Sequence, residues 1–186
     1  MLKITEAYVD RPQIRFKDQE EGEVVLLLLR RHFFTNSAWI LGAFLLFLLP
    51  LVFLLSPYKS MFPFMELLPG RFLFLIILSW YHFSLTFILI SFVGWFFSID
   101  LVTDRRILDI DYWGLLFFNV SETPLSNIQD VTYNISGLPQ TILNYGNLYI
   151  QTAGTSANFD FLDVPNPAAV HDLITDLMQR KNDQHA

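Results

Sequence analysis

The chain has 186 residues, of which 53% are hydrophobic, and a mean hydropathy of +0.39, above that of a typical soluble domain. It contains no cysteine, which excludes disulfides, thiolate nucleophiles and cysteine-ligated zinc. From Ile99 onward four basic residues oppose eleven acidic ones, a balance that disfavours both nucleic acid and a broad polybasic lipid-binding face.

The first 36 residues are polar and charged up to Gly22 and then carry a short apolar run. The run Glu23–Leu29 includes Val24 and Val25 and is bounded by charged residues, a composition that favours a strand. We predict that residues 1–36 form a cytoplasmic segment that adds one strand to the sheet of a later domain.

Two uncharged apolar segments follow, Ala38–Leu55 and Phe72–Trp95. Each is long enough to cross the roughly 30 Å hydrocarbon core as a helix, so residues 37–95 are predicted to form a transmembrane hairpin with helices at about 38–55 and 72–95. Pro50 is expected to bend the first helix rather than end it. The segment between the helices is rich in proline, which predicts a short loop.

Basic residues near the two spans predict their orientation. Five lie beside the outer ends of the spans and two lie in the loop, which favours cytoplasmic termini and an external Tyr58–Pro69. The five are Lys17, Arg30, Arg31, Arg105 and Arg106, and the two are Lys59 and Arg71.

The second span contains one histidine, His82, which shares a helical face with Ser79 and Thr86. An ionisable residue inside a membrane is a functional candidate. Neither span holds a charged residue that could relay a proton to it, so a neutral His82, hydrogen-bonded to Ser79, Thr86 or a backbone carbonyl, is the favoured interpretation.

Beyond Trp95 the pattern indicates short strands separated by turn residues. Leu108 and Ile110 alternate with Asp109 and Asp111, which predicts a strand with one buried and one wet face. Further strands are predicted over Leu115–Val120, Ile128–Ile135, Asn147–Ala153 and Phe159–Leu162.

A C-terminal helix is predicted over 166–180, because Asn166 is a strong N-cap and Pro167 suits the first helical position. Its apolar stripe has helical spacing. The stripe consists of Val170, Leu173, Ile174, Leu177 and Met178. Residues 181–186 are predicted to be a frayed tail.

Six or seven antiparallel strands followed by one amphipathic helix resemble a pleckstrin-homology (PH) type domain, and spaced motifs make the resemblance more specific. The chain resembles a largely uncharacterised family of bacterial membrane-flanked PH-like proteins. The motifs are Thr103-Asp104-Arg105-Arg106-Ile107, Leu125–Val131, Gly137, Tyr145-Gly146 and Pro165-Asn166-Pro167. The resemblance implies an α+β membrane protein in which the transmembrane hairpin precedes a PH-like antiparallel β-barrel, over 96–180, closed by the C-terminal helix.

Most of these motif residues have ordinary structural explanations in turns, bulges and caps. We therefore interpret the following as structural: Thr103, Asp104, Gln129, Asp130, Gly137, Tyr145, Gly146, Pro165, Asn166 and Pro167.

Arg105 and Arg106 are the basic residues nearest to the predicted membrane exit. They are candidates for contact with anionic phospholipid headgroups or a partner protein. The alternative is a local ion pair with Asp104, Asp109 or Asp130.

The predicted function is a membrane-anchored, non-catalytic protein- or lipid-interaction module at the cytoplasmic surface of a bacterial cell membrane. Its predicted partners are the lipid bilayer, anionic headgroups, and a protein or a second copy of the chain, but not nucleic acid. An alternative is a subunit of a membrane complex or a small transporter that works through oligomerisation. An enzyme is disfavoured because no catalytic motif is recognised, and no catalytic, cofactor-binding or metal-binding residue is predicted.

Overall fold

The computed structural model describes residues 7–16, 18–55, 69–114, 116–153 and 158–185. The chain divides into two compact units. The first unit combines Met1–Thr35 with Gly94–Ala186, and the second is Asn36–Val93.

Two long apolar helices account for the second unit. Helix α1 spans Ser37–Leu55, and α2 spans Gly70–Phe97, so that its last turn belongs to the first unit. Both helices are long and apolar enough to cross a membrane by length and composition. The predicted external loop, Tyr58–Pro69, lies outside the described residues except for Pro69.

Pro50 lies inside α1 without ending it, because the backbone group that it frees has another partner. A proline has no N–H, so the carbonyl of Leu46, four residues earlier, loses its usual helical donor. The indole N–H of Trp80 on α2 donates to this carbonyl at 2.8 Å. This bond satisfies the polar group and joins the two helices.

Five antiparallel strands form sheet A in the spatial order β1-β2-β3-β4-β5. They are β1 Tyr8–Asp10, β2 Val25–Leu29, β3 Ile99–Thr103, β4 Arg106–Trp113 and β5 Phe117–Pro124. The N-terminal segment thus supplies two strands where the sequence indicated one. Strands β2 and β3 are paired neighbours, with Leu29 opposite Asp100, although α1 and α2 separate them in the chain. The two helices therefore take the place of a hairpin loop.

Both faces of sheet A are covered over β2, β3 and the first part of β4, whereas β5 is largely exposed. The inner face, with Ile107, belongs to the main core, while Leu108 on the outer face packs against Phe16 and other N-terminal residues. The prediction of a wet face on β4 is therefore wrong. Asp109 and Asp111 alternate with Leu108 and so lie on the inner side, both half-buried.

Three antiparallel strands form sheet B in the order β6-β7-β8. They are β6 Ile128–Asn134, β7 Tyr145–Thr152 and β8 Phe159–Pro165. A short helix, α3, spans Leu138–Leu143 and connects β6 to β7. Helix α4 spans Pro167–His185, five residues beyond the predicted end at 180.

The predicted closed barrel is wrong, because sheets A and B remain separate in the described residues. They meet instead through side chains in one core, to which α4 contributes Val170 and Ile174. Leu173, Leu177 and Met178, also members of the predicted stripe, pack partly buried against the same core.

Candidate functional site

Two segments meet at one end of sheet A: the segment that follows β2, and the last turn of α2, which leads into β3. We call this place the junction. Just after β2, the Nε of Arg30 donates to the carbonyl of Phe96 at 3.1 Å, and its guanidinium lies 4.7 Å from the centre of the Phe96 ring. The indole N–H of Trp95 donates to the carbonyl of Arg31 at 2.9 Å. These contacts hold the segment that follows β2 against the last turn of α2.

Three carboxyl groups gather beside this junction on the inner face of sheet A. Asp100 on β3 stands opposite Asp109 on β4, and Asp111 lies two residues further along the same strand. The Nη2 of Arg31 lies 3.0 Å from the Oδ1 of Asp111. Arg31 thus binds the carboxyl cluster through its side chain and Trp95 through its carbonyl.

Burial raises the pKa values of two of these three carboxyl groups. Burial, together with the carboxylates of Asp109 and Asp111, raises the pKa of Asp100 well above its usual value. Burial and Asp111 raise the pKa of Asp109 to about 6, against the opposing effects of a hydrogen bond from Asp100 and the charge of Arg31. Both effects favour the protonated form of Asp100, the form that can donate a hydrogen bond to Asp109.

Replacing Asp109 by asparagine should stabilise the protein at neutral and alkaline pH. An unfolded aspartate titrates near pH 3.9. Because the folded-state pKa of Asp109 is higher, at about 6, its contribution to stability is complete below about pH 4 and is lost as the pH rises through about 6. Asp109→Asn is neutral throughout, so thermal unfolding of the full chain should show a gain of roughly 1–3 kcal/mol at about pH 8 and none near pH 4.

Asp130→Asn on β6 is the matched control, because Asp130 is exposed. It should show no such pH-dependent gain. A parallel pH profile for wild type and Asp109→Asn would contradict the prediction.

His32 links the junction to sheet B. Its ring stacks on Tyr145 with centroids 4.6 Å apart and planes 4° from parallel, and its backbone N–H donates to the carbonyl of Asp163 at 2.8 Å. Burial lowers the pKa of His32, although the Asp163 carboxylate opposes this shift. The Nδ1 of His32 accepts from the N–H of Phe34 at 3.2 Å, as a neutral imidazole can. Within the described ranges, no group of three or more histidine and acidic side chains is arranged to hold a metal ion.

Arg105 and Arg106 both bind acidic residues. Arg105 forms an ion pair with Glu20 and donates from Nη2 to the carbonyl of Glu21 at 3.1 Å. Arg106 donates from Nη1 to the Oε2 of Glu122 at 2.8 Å.

Arg106 also forms a forked pair with Glu23. Its Nε and Nη2 donate to Oε1 and Oε2 of Glu23, each at 3.0 Å. The acidic partners of the two arginines are therefore Glu20, Glu23 and Glu122, and not Asp104, Asp109 or Asp130, which the sequence proposed as alternatives. Contact with headgroups stays a prediction.

The Glu23–Arg106 pair is removed from water, with side-chain exposures of 0% and 13%. The hydroxyl of Thr103 lies 2.8 Å from the Oε1 of Glu23 and accepts the N–H groups of Arg105 and Arg106 at 3.1 and 2.9 Å. Burial alone would raise the pKa of Glu23, but hydrogen bonds from Arg106, the Glu20 N–H and Thr103 outweigh it, so the pKa is lowered.

Asp104 holds the same part of the N-terminal segment. Its Oδ1 accepts the N–H of Val24 at 2.9 Å, and its own N–H donates to the carbonyl of Val24 at 3.1 Å. The Thr103–Arg106 motif thus joins the β3–β4 turn to a segment about 80 residues earlier.

Three further motif residues, Gln129, Gly137 and Gly146, shape sheet B and its turns. Gln129 stands at a register shift of β6, between Ile128 and Asp130. Gly137 has φ +85° and precedes α3. A Cβ at Gly146 would collide with the carbonyl oxygen of Asn134, so this glycine serves close backbone approach.

The Pro165-Asn166-Pro167 motif joins β8 to α4. Asn166 has φ +50°, and its carbonyl accepts the N–H groups of Ala169 and Val170 at 3.1 and 3.3 Å. The N–H of Asn166 donates to the carbonyl of Asn144 at 2.8 Å. The predicted capping side chain of Asn166 lies 3.4 Å from the Nδ2 of Asn144.

His82 is exposed on the surface of α2. Its Nδ1 lies 2.8 Å from the carbonyl of Leu78, and its own carbonyl accepts the hydroxyl of Thr86 at 2.9 Å. A role beyond these bonds stays a prediction.

Sequence reasoning missed the contributions of Glu23, Asp100 and Arg31. In the sequence Glu23 is one charged residue at the start of a predicted strand, and no local pattern identifies Thr103 and Arg106 as its partners. The sequence does contain a signal that Asp100 lies near Asp109. Asp100 alternates with the apolar Ile99 and Leu101, and a short hairpin places it opposite Asp109.

Comparison with known proteins identifies one family. Residues 39–178 match the model of a family described as bacterial PH domain, and this range covers α1 except its first two residues, α2, strands β3 to β5, sheet B and much of α4. No curated protein and no solved structure matches the chain.

Proposed function

Because the chain belongs to the bacterial PH domain family, we propose that it is a non-catalytic interaction module held at the cytoplasmic face of the cell membrane by α1 and α2. PH domains generally bind lipids or proteins. We propose a protein as the principal partner of this one.

The observation that carries the proposal is the insertion of both helices between β2 and β3. These neighbouring strands pair with Leu29 opposite Asp100, so the chain departs and returns at one end of one sheet. A two-span insertion of this kind puts the N-terminal strands and the rest of the domain on the same side of the bilayer. The excess of basic residues beside the outer ends of the helices favours the cytoplasmic side.

The arginines favour a protein over anionic lipid. A lipid-binding arginine must exchange its partner for a headgroup, and Arg106 would have to abandon Glu23, whose side chain is fully buried. The surface beyond Ile99 is also predominantly acidic, which opposes an anionic membrane.

The exposed face of sheet B supplies positions for the test. Thr132 on β6 stands opposite Tyr149 on β7, and Asp130 stands opposite Gln151, with all four exposed. Helix α4 packs on the other side of the sheet, in the core that contains Val131 and Leu148. A photo-crosslinking amino acid at Thr132 or Gln151 therefore faces outward without disturbing the core.

We expect irradiation of living cells to give a discrete protein adduct shared by the Thr132 and Gln151 variants, identified by mass spectrometry. The control variant carries the same amino acid at Ser60, in the loop proposed to be external, and should not give this adduct. Lipid adducts alone, no adduct, or the same adduct from Ser60 would overturn the proposal.

A further inference from the structure

The most exposed apolar side chains of the first unit are confined to two connections. Among its described residues, five large apolar side chains are more than 70% exposed: Trp113, Leu116, Phe117, Leu138 and Ile142, at 74%, 84%, 74%, 78% and 76%. Trp113 ends β4, Leu116 lies in the β4–β5 turn and Phe117 begins β5, while the other two belong to α3. Below, the β4–β5 turn includes these two flanking residues.

The β4–β5 turn lies at the end of sheet A that carries the junction with the helices. Strand β4 runs antiparallel to β3 with Ile110 opposite Ile99, so Trp113 extends about 10 Å beyond the first residue of β3. The N–H of Tyr112 donates to the Oγ of Ser98 at 3.0 Å, and the rings of Tyr112 and Phe97 are 5.5 Å apart. The turn therefore continues alongside the last turn of α2.

Helix α3 lies at the same end of the unit. Two residues after its end comes Tyr145, whose ring stacks on His32 and lies 6.3 Å from the ring of Phe34. His32 and Phe34 lie five and three residues before the start of α1 at Ser37. Phe33 between them is also exposed. Both apolar connections therefore flank the place where the chain passes into the apolar helices.

The β4–β5 turn and α3 lie in stretches without charged residues, although the domain is acidic. Neither residues 112–121 nor residues 131–159 contain aspartate, glutamate, lysine or arginine. Exposed tryptophan, phenylalanine and leucine without charge suit the membrane interface, where aromatic rings are favoured and no acidic group is repelled by anionic lipid. In water such side chains would remain as unburied apolar surface.

We propose that the β4–β5 turn and α3 both insert their exposed side chains into the interfacial layer of the bilayer that α1 and α2 cross. The inference rests on the proposed membrane attachment and adds two contacts to it. The domain is then held at three places and cannot pivot freely on its junction, so sheet B is presented in one orientation. Because the contacts are apolar, salt does not weaken them.

The absence of cysteine allows each position to be tested alone. The full chain is reconstituted in vesicles of phosphatidylcholine and phosphatidylglycerol with one nitroxide label, at Leu116→Cys or Ile142→Cys. Ser126→Cys, exposed in the turn between β5 and β6 at the opposite end of sheet A, serves as the water control, and Leu45→Cys, exposed on α1, serves as the lipid control. Spin-label relaxation compares collisions with oxygen, which enters lipid, and with a water-soluble nickel chelate.

We expect the oxygen-to-nickel collision ratio at Leu116 and Ile142 to exceed that at Ser126 several-fold, in low and high salt alike. If both positions match Ser126 while Leu45 stays lipid-exposed, insertion is wrong and the membrane attachment stands. If Leu45 also matches Ser126, the attachment fails and this inference fails with it.

Discussion

Replacing Glu23 by glutamine should lower the free energy of unfolding by roughly 3 kcal/mol, near the lower end of the cost of breaking a buried ion pair. The Glu23 side chain is fully buried and accepts two hydrogen bonds from Arg106, whose side chain is only 13% exposed. Glutamine retains one acceptor oxygen but not the charge, so the Arg106 guanidinium is left inadequately paired in a place that water hardly reaches. Denaturant unfolding of the full chain in detergent micelles measures the loss.

The pair between Arg105 and Glu20 is the matched control, since both of its side chains are exposed, by 40% and 57%. Glu20→Gln should cost no more than about 1 kcal/mol. The double variant Glu23→Leu with Arg106→Met should lose less stability than the sum of its two single changes, because neither charge is then left buried alone.

The cost of Glu23→Gln should also depend on pH. The folded-state pKa of Glu23 is lowered, so its stabilising effect is present above the unfolded pKa of about 4.3 and is lost as the pH falls through the folded value. The two proteins should therefore converge in acid. Equal, small losses for Glu23→Gln and Glu20→Gln at neutral pH would show that the buried pair contributes nothing special.

Replacing Ile174 by alanine should destabilise the protein by about 2–5 kcal/mol, through lost apolar contact and the cavity left behind. Ile174 has 0% exposure, and its side chain belongs to the one core that sheets A and B share with α4. The loss should appear as a lower Tm of the full chain, without a change in the helix content of the folded protein.

Asp176→Ala, on the same helix but exposed, provides the comparison for Ile174→Ala. It should change stability by no more than about 0.5 kcal/mol. A Tm for Ile174→Ala as high as that for Asp176→Ala would mean that α4 is not packed on the core as described.

The features that sequence alone determined are those governed by local rules. An uncharged run long enough to cross a bilayer has few alternatives to a helix, and α1 and α2 lie within two residues of their predicted bounds. The repeat of Val170, Ile174 and Leu177 identified α4, because one helical face must be apolar to pack. Close backbone approach at Gly146 is likewise a property of the residue itself, because glycine has no Cβ.

Tertiary structure decided the features that depend on residues far apart in the chain. Strand β4 shows an alternating pattern, but the pattern does not say which of its faces the N-terminal segment covers. The segment covers the face that carries Leu108, so Asp109 lies on the inner side. The sequence shows that Arg105 and Arg106 are charged, but it does not show their partners. Glu20 and Glu23 lie more than 80 residues earlier and are brought near by the pairing of β2 with β3. Strand patterns do not specify whether two sheets join by hydrogen bonds, because side chains can bury the same apolar surface between sheets that remain separate.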